Sequence, residues 1–271
     1  MMTLTVACAS NSDIILNANL AQSPMFADGR ATLHLERDAP SAAIAYNRAL
    51  DATTADIVVF AHHDVYLPKG WETMLAARLA EVQAQDPNWA LFGSFGVGLD
   101  AAHIGPVWSS SIGLIVGRVP MQPTEVQSFD ELLIVMRRAS NLRFDEGAPG
   151  WHMYGTDIVQ TARSQGLRAY AGALPAIHND RYHEALQSDF VECYRYMQRK
   201  WRTDLPLRTP IIKISRSGLH LYRNRWLDRT SAKFRANMSV GVDHPPQRLA
   251  ELCGWADLTV YPKNNSLDVS N

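Results

Sequence analysis

Ligand-type side chains follow an apolar run near residue 60. The β-branched stretch 57–61 predicts a buried strand, and His62, His63 and Asp64 come directly after it. Open α/β sheets bind ligands at the carboxyl ends of their strands. In an extended chain, residues two apart face the same side, so His62 and Asp64 are predicted to share a divalent cation that neutralises a diphosphate, while His63 points elsewhere. Because the motif is short, a strand-capping role for the histidines remains open.

His178 is a candidate third ligand. It follows the last strand predicted in the α/β region, over 167–173, and a parallel sheet can bring it beside His62 and Asp64. A lone histidine is more often structural or exposed. The same ligand order is also that of a non-haem iron oxygenase with two histidines and one carboxylate. That chemistry in its usual setting uses an antiparallel β-sandwich, which the strand and helix pattern of this chain does not favour.

A glycine-bounded aromatic and acidic segment, 150–157, leads into a predicted helix and ends on Asp157. A carboxylate in the first helical turn complements the helix dipole. It can also take the proton of a sugar hydroxyl as that oxygen attacks an anomeric carbon. Trp151 offers an apolar face for stacking on a sugar, and core packing is an equally common use of such a side chain.

The elements that must position these residues alternate between strand and helix. Apolar runs and capping side chains predict a βαβαβ order, and this rhythm indicates a doubly wound α/β sheet. The predicted strands cover 4–9, 31–36, 57–61, 89–97, 112–116, 132–136 and 167–173, and the predicted helices cover 41–50, 69–85, 156–165 and 188–201 after a first helix that begins near Ser12.

Composition narrows the class of protein. The chain has 271 residues, of which 46% are hydrophobic, so it can bury a sizeable core. Its 26 basic and 27 acidic residues nearly cancel, and no nucleic-acid partner is implied. Three widely spaced cysteines favour a reducing compartment over a disulfide framework. With neither a signal-peptide pattern nor a long apolar run, the expected location is the cytoplasm.

The positive charge is concentrated near the C-terminus. Between 195 and 235 there are 12 lysines and arginines and two acids. We therefore divide the chain into a catalytic domain over 1–187 and a basic, partly helical extension over 188–271. The extension, with its interleaved aromatic residues, is predicted either to contact phosphate groups of a bound substrate or the anionic inner face of a membrane, or to be a solvated basic face.

Several spaced segments resemble the family 2-like glycosyltransferases of the GT-A fold, in particular a bacterial branch. They are CASNSDIILNANLAQSP, AYNRALDATTADIVVFAHHDVYLPKGW, WALFGSFGVG, FDELLIVMRR and FDEGAPGWHMYGTDIVQTARSQG. The resemblance implies an α/β fold with a Rossmann-like mixed sheet flanked by helices. It also implies inverting transfer of a sugar from a nucleotide-diphosphate donor, with Mn²⁺ or Mg²⁺, to a glycan or lipid-linked acceptor in bacterial surface glycan synthesis.

The same resemblance assigns roles to individual residues. His62-His63-Asp64 takes the place of the family's Asp-x-Asp motif, with a histidine where an aspartate is usual, and Asp157 becomes the inverting base, preceded by Thr156 where a glutamate often stands. The nucleotide is expected to lie against Ala9, Ser10, Asn11, Glu36, Asn47 and His63, and the acceptor against Trp151, His152 and Tyr154. A nucleotide-sugar binding module without turnover remains an alternative, which Asp157 argues against.

Overall fold

The computed structural model describes residues 2–180, 188–236 and 244–260. The strands are β1 (Leu4–Ala9), β2 (Thr32–Glu36), β3 (Ile57–Ala61), β4 (Val65–Tyr66), β5 (Trp89–Gly93), β6 (Gly96–Gly98), β7 (His103–Ile104), β8 (Val107–Ser109), β9 (Leu114–Val116), β10 (Thr124–Phe129), β11 (Leu133–Arg137), β12 (Arg168–Ala171), β13 (Ala176–His178), β14 (Leu207–Arg208) and β15 (Lys213–Ile214). The helices are α1 (Asp13–Ala18), α2 (Pro24–Ala27), α3 (Ala42–Ala52), α4 (Trp71–Gln85), α5 (Tyr154–Ser164), α6 (Ser188–Lys200), α7 (Leu219–Ala236) and α8 (Pro246–Leu252).

Nine strands form one mixed sheet in the order β2-β1-β3-β11-β5-β12-β10-β6-β7. Strands β1, β2 and β3 are parallel, as the βαβαβ rhythm predicts. Strand β11 then runs antiparallel between β3 and β5, so the sheet is mixed rather than wholly parallel. The predicted α/β class, with a mixed sheet flanked by helices, is confirmed.

The two faces of this sheet carry two hydrophobic cores. Alternate residues of β3 divide between them, because successive side chains of a strand point to opposite faces. Val59 packs with α1 and α4 on one face, whereas Phe60 packs with α3 and α5 on the other. Ser41 caps α3 by accepting a hydrogen bond from the Ile44 N–H, as its position before the helix indicates. The helices thus hold the strand before His62 from both sides.

A second, four-stranded sheet in the order β4-β13-β8-β9 lies next to the end of β3. Strand β4 begins one residue after Asp64, and its antiparallel partner β13 ends at His178. The register pairs His178 with Val65. This pairing brings a residue far along the chain next to the strand-end motif.

Residues 188–236 build a third core, in which α6, β15 and the start of α7 pack together with Met153 from the turn before α5. Helix α8 instead packs Leu249 and Ala250 into the first core. The region after 188 therefore has two structural parts, one of which contributes to the larger body. Among the described residues, no helix is both long and apolar enough to cross a membrane.

Candidate active site

His62 extends the edge of β3 by one more backbone hydrogen bond, since its N–H donates to the Leu132 carbonyl at 3.0 Å. The chain then turns, with the Val65 N–H donating back to the His62 carbonyl at 3.3 Å. The segment is therefore not the extended chain on which the same-side prediction for His62 and Asp64 rested. The turn nevertheless brings both side chains into one cluster and directs His63 away from it.

The predicted ligands His62, Asp64 and His178 are close together. One ligand atom from each lies within 4.8 Å of the others. The two imidazole rings have centroids 6.0 Å apart, and His178 Nε2 lies 3.4 Å from Asp64 Oδ1. That oxygen is buried, and apart from this ion-pair contact with His178 it has no hydrogen bond among the described residues. Two imidazole nitrogens and a carboxylate are a donor set that suits Mn²⁺ and other first-row divalent ions, so the residues fit a divalent cation.

The electrostatics of the cluster separate its two histidines. Burial alone would raise the pKa of Asp64, but the charge of His178 and the hydrogen bond from it outweigh burial and lower that pKa. Burial lowers the pKa of His62 to about 4. Burial also acts to lower the pKa of His178, but the carboxylates of Asp64 and Asp180 raise it to about 10. In the metal-free protein His178 is therefore the protonated partner of Asp64, and His62 is neutral.

Asp180 lies behind His178, with Oδ2 at 3.8 Å from His178 Nδ1. Its buried carboxylate accepts hydrogen bonds from the Ser109 hydroxyl at 3.1 Å and from both the backbone N–H and the hydroxyl of Ser111. Ligating histidines commonly have a carboxylate near the nitrogen that faces away from the metal. Sequence reasoning missed Asp180, although its spacing of two residues from His178 in an extended segment is a usable signal.

Four of the residues that the sequence assigns to the nucleotide lie at the ends of β1 and β2. Ser10 Oγ lies 2.9 Å from His63 Nδ1, and the Ser10 N–H donates to the Glu36 carbonyl. The Glu36 carboxylate lies 2.7 Å from His34 Nε2. Ala9 is half-buried and Asn11 is exposed on the same turn. These positions border one strand edge beside the histidine cluster.

Asn47, which the sequence also assigns to the nucleotide, is bonded to a neighbouring loop. It is 3% exposed and lies on α3. Its amide nitrogen donates to the Phe144 carbonyl and to the Glu146 carboxylate, and its oxygen accepts the Phe144 N–H. Because both N–H donors and the carbonyl are engaged, the side chain fastens this loop to α3, and its contact with a nucleotide stays a prediction.

Asp157 lies in the first turn of α5 and is 3% exposed. Lys200 Nζ lies 2.8 Å from its carboxylate, and the Trp201 indole N–H donates to Oδ1 at 2.7 Å. Desolvation raises the pKa of Asp157 in spite of the nearby Lys200 charge. Both oxygens thus face α6 and the residue after it, and neither is open to an acceptor in this conformation. Its assignment as the base stays a prediction.

The three predicted acceptor contacts have three different environments. Trp151 is 40% exposed and available to a ligand. His152 lies 3.3 Å from Asp189 on α6 and stacks edge-on with Phe190. Tyr154 is 4% exposed, and its hydroxyl lies 3.0 Å from His62 Nε2. Its ring is thus buried beneath the cluster, and the contact of Tyr154 with an acceptor stays a prediction.

Glu131 is a further acidic residue beside the cluster that sequence reasoning missed. Its carboxylate accepts the Gly155 N–H at 3.3 Å, and its carbonyl accepts the Tyr154 hydroxyl. Desolvation and the neighbouring Asp130 raise the pKa of Glu131 to about 8. Two adjacent acids, Asp130 and Glu131, just before the apolar strand β11 were the available signal.

A cavity of about 580 Å³ opens beside Asp64, between α1 and the segment that begins α8. Side-chain amides dominate the polar part of its lining: Asn17, Asn19, Gln22, Asn179 and Gln247. Two of these amides bond each other, with Asn179 Nδ2 donating to Asn19 Oδ1 at 2.9 Å. The cavity thus joins the ligand cluster to a surface rich in hydrogen-bond donors and acceptors.

Comparison with known proteins yields one curated relative, and no family model matches the chain. A Fuscovulum blasticum protein described as "ATP synthase subunits region ORF 6" is 30% identical over 162 residues. The match covers 56% of this chain and 61% of that protein, so it spans less than two thirds of the relative's length.

Solved structures similar to this chain include three transferases. GalNAc-T7 with UDP, GalNAc and Mn²⁺ has a TM-score of 0.49 at 11% identity, covering 75% of this chain and 50% of that one. The Pyrobaculum calidifontis mannosyltransferase PcManGT, with GDP-Man and Mn²⁺, has a TM-score of 0.45 at 12% identity, covering 93% and 76%. The Mycobacterium tuberculosis glucosyl-3-phosphoglycerate synthase, with Mg²⁺ and UDP, has a TM-score of 0.41 at 17% identity, covering 73% and 79%.

Proposed function

We propose that this protein is a divalent-metal-assisted glycosyltransferase that uses a nucleotide-diphosphate sugar as donor. The observation that carries the proposal is the convergence of His62, Asp64 and His178 at the carboxyl end of β3, with one ligand atom of each within 4.8 Å of the others. Ligands of open α/β sheets bind at this edge. A cation held there supplies positive charge that stabilises a departing nucleoside diphosphate.

The surrounding residues suit the two ends of such a donor. The turn after β1, with Ser10 and His63 in contact, offers polar groups to a nucleoside on one side of the cluster. The amide-lined cavity beside Asp64 lies within the size range of small-molecule sites and offers hydrogen-bonding groups to sugar hydroxyls. We assign the donor to these two surfaces, with its diphosphate at the cluster.

Transfer is proposed to invert the anomeric carbon in one displacement, with Asp157 as the base. In the present conformation Lys200 and Trp201 bind its carboxylate, so this role requires their contacts to open when an acceptor arrives. Asp157→Asn would then reduce transfer by two or more orders of magnitude while leaving donor binding unchanged. Unchanged transfer in that variant would show that Asp157 is not the base and that its role is to bind Lys200 and Trp201.

We further propose that the acceptor is lipid-linked, that it belongs to bacterial surface glycan synthesis, and that the protein reaches it at the cytoplasmic face of a membrane. Helix α7 supports it, because Leu219, Tyr222 and Trp226 are exposed at spacings that place them on one face. Arg216 and Arg223 are exposed nearby. Sedimentation with anionic and neutral phospholipid vesicles tests the contact. Equal binding of wild-type protein and the Trp226→Ala variant to anionic vesicles would show that this face of α7 does not contact the membrane.

A donor screen tests the function directly. UDP- and GDP-sugars are incubated with the protein and Mn²⁺, and nucleoside diphosphate release is measured with and without a metal chelator. We expect release from one donor class that the chelator abolishes. The oxygenase alternative predicts Fe²⁺-dependent oxygen consumption without diphosphate release, and a binding module predicts calorimetric binding of a donor without turnover. Absence of donor binding to the metal-loaded protein would reject the proposal.

A further inference from the structure

Tyr154 has a hydroxyl whose hydrogen bonds are restricted by its partners. It lies 3.0 Å from the Glu131 carbonyl, 3.0 Å from His62 Nε2 and 3.4 Å from the Tyr46 hydroxyl. A phenol has one proton and a carbonyl oxygen can only accept, so that proton is committed to Glu131. The Tyr154 oxygen is then left as an acceptor toward the other two groups.

This arrangement has a consequence for His62. If the Tyr154 oxygen accepts, the proton shared with His62 must reside on Nε2. A neutral imidazole carries one N–H, so Nδ1 is then the nitrogen with the free lone pair. We propose that Tyr154 is a positioning residue that fixes the tautomer of His62 and thereby makes Nδ1 the nitrogen that binds a divalent cation. This inference rests on the metal site of the proposed function.

The position of Tyr154 is itself firmly held. The residue begins α5, and Met153 before it has a positive φ of 65° while its side chain is buried in the third core. The Met153 carbonyl accepts the N–H groups of Thr156 and Asp157. On the other side, the ring packs against Tyr46, with centroids 5.4 Å apart. Because backbone and ring are both constrained, the hydroxyl has a fixed direction from which to orient His62.

The tautomer can be measured without metal. Long-range proton–nitrogen correlation spectra of histidine-labelled protein distinguish an Nε2–H from an Nδ1–H imidazole, and a His62→Gln variant assigns the signal. We expect the Nε2–H form in the wild-type protein and in Tyr46→Phe, and a mixture in Tyr154→Phe. Tyr46→Phe is the matched control, since it removes a buried hydroxyl from the same aromatic group without touching His62. An Nδ1–H signal in the wild-type protein would overturn the inference.

Metal affinity provides the second readout. Calorimetric titration of the full chain with Mn²⁺ should show about tenfold to a hundredfold weaker binding for Tyr154→Phe, the range typical of a lost outer partner, and a change below about twofold for Tyr46→Phe. If Tyr154→Phe binds Mn²⁺ like the wild type while Asp64→Ala does not bind it, the metal site stands and the role of Tyr154 is wrong. A wild-type protein that binds no cation would overturn both.

Discussion

Asp64 and Asp157 are two largely buried carboxylates with predicted roles in metal binding and catalysis, and the fold surrounds them with different partners. Asp64 lies in a turn between two strands and faces two histidines, and the charge of His178 lowers its pKa despite burial. Asp157 lies inside a helix and faces one lysine and one indole N–H, and its pKa is raised because desolvation outweighs Lys200. The fold therefore favours the ionised form of Asp64, whereas it disfavours the ionised form of Asp157.

The two carboxylates also differ in how many of their oxygens already have hydrogen-bond partners. Asp64 Oδ1 is buried and, apart from its contact with His178 Nε2, has no hydrogen bond among the described residues, so a cation that displaces the His178 proton can bind it. Both oxygens of Asp157 already have partners. We therefore expect substitutions at Asp64 to affect ligand binding more than folding, and loss of the hydrogen-bond acceptor at Asp157 to lower the stability of the fold.

The largest effect is expected from Asp64→Ala. Removing the only carboxylate of the His62–Asp64–His178 cluster should weaken Mn²⁺ binding by about a hundredfold or more, beyond what loss of an outer partner causes. Calorimetry with Mn²⁺ measures it, and Asp28→Ala, which removes an exposed aspartate, is the control. Mn²⁺ affinity within about threefold of the wild type would show that the cluster is not a metal site.

The next effect concerns the stability of the contact with α6. Asp157→Ala leaves the Trp201 indole N–H without its acceptor and should lower the free energy of unfolding by about 1–3 kcal/mol. Urea denaturation monitored by circular dichroism measures this loss. Asp189→Ala is a suitable comparison, because it removes a half-exposed carboxylate from the same region. Equal stability of Asp157→Ala and the wild type would mean that the buried contact does not hold α6.

The sequence could predict the features of these two sites that depend on neighbouring residues, but not those that depend on residues far apart in the chain. The strand 57–61 and the ligand-type residues after it form one continuous pattern, so the prediction of a metal cluster there needed only the rule for sheet edges. Asp157 bonds residues 43 and 44 positions away, and Asn47 bonds a loop 97 positions away. No periodicity or capping rule carries information on such pairings, because tertiary packing sets them.

The same distinction applies to the fold. The parallel β1, β2 and β3 follow from alternation of strand and helix, whereas the insertion of the antiparallel β11 beside β3 depends on pairing across about 75 residues. The insertion of β11 also carries Glu131 to the cluster, and for that reason sequence reasoning missed this residue. His178 was found because it follows a predicted strand, although the sheet that holds it is the smaller one.

The dependence of Mn²⁺ affinity on pH should show whether His178 is a ligand. His178 has a pKa raised from 6.5 to about 10, so below pH 10 a cation must displace its proton. Mn²⁺ affinity should therefore rise by up to about tenfold per pH unit between pH 6 and pH 8. Calorimetry in buffers of different ionisation enthalpy also reports the proton released. Affinity independent of pH across this range would show that His178 is not a ligand.

The smallest effect on stability should come from Asp157→Asn. A raised carboxyl pKa means that the folded state holds the proton more tightly than the unfolded state, so ionisation at pH 7 opposes folding, and an amide removes that cost. The amide oxygen can still accept from Trp201, and Lys200 keeps Asp145 at 2.6 Å. We therefore expect the free energy of unfolding to change by less than about 1 kcal/mol. A loss as large as that of Asp157→Ala would mean that the charge of Asp157, rather than its hydrogen-bond acceptor, holds α6 in place.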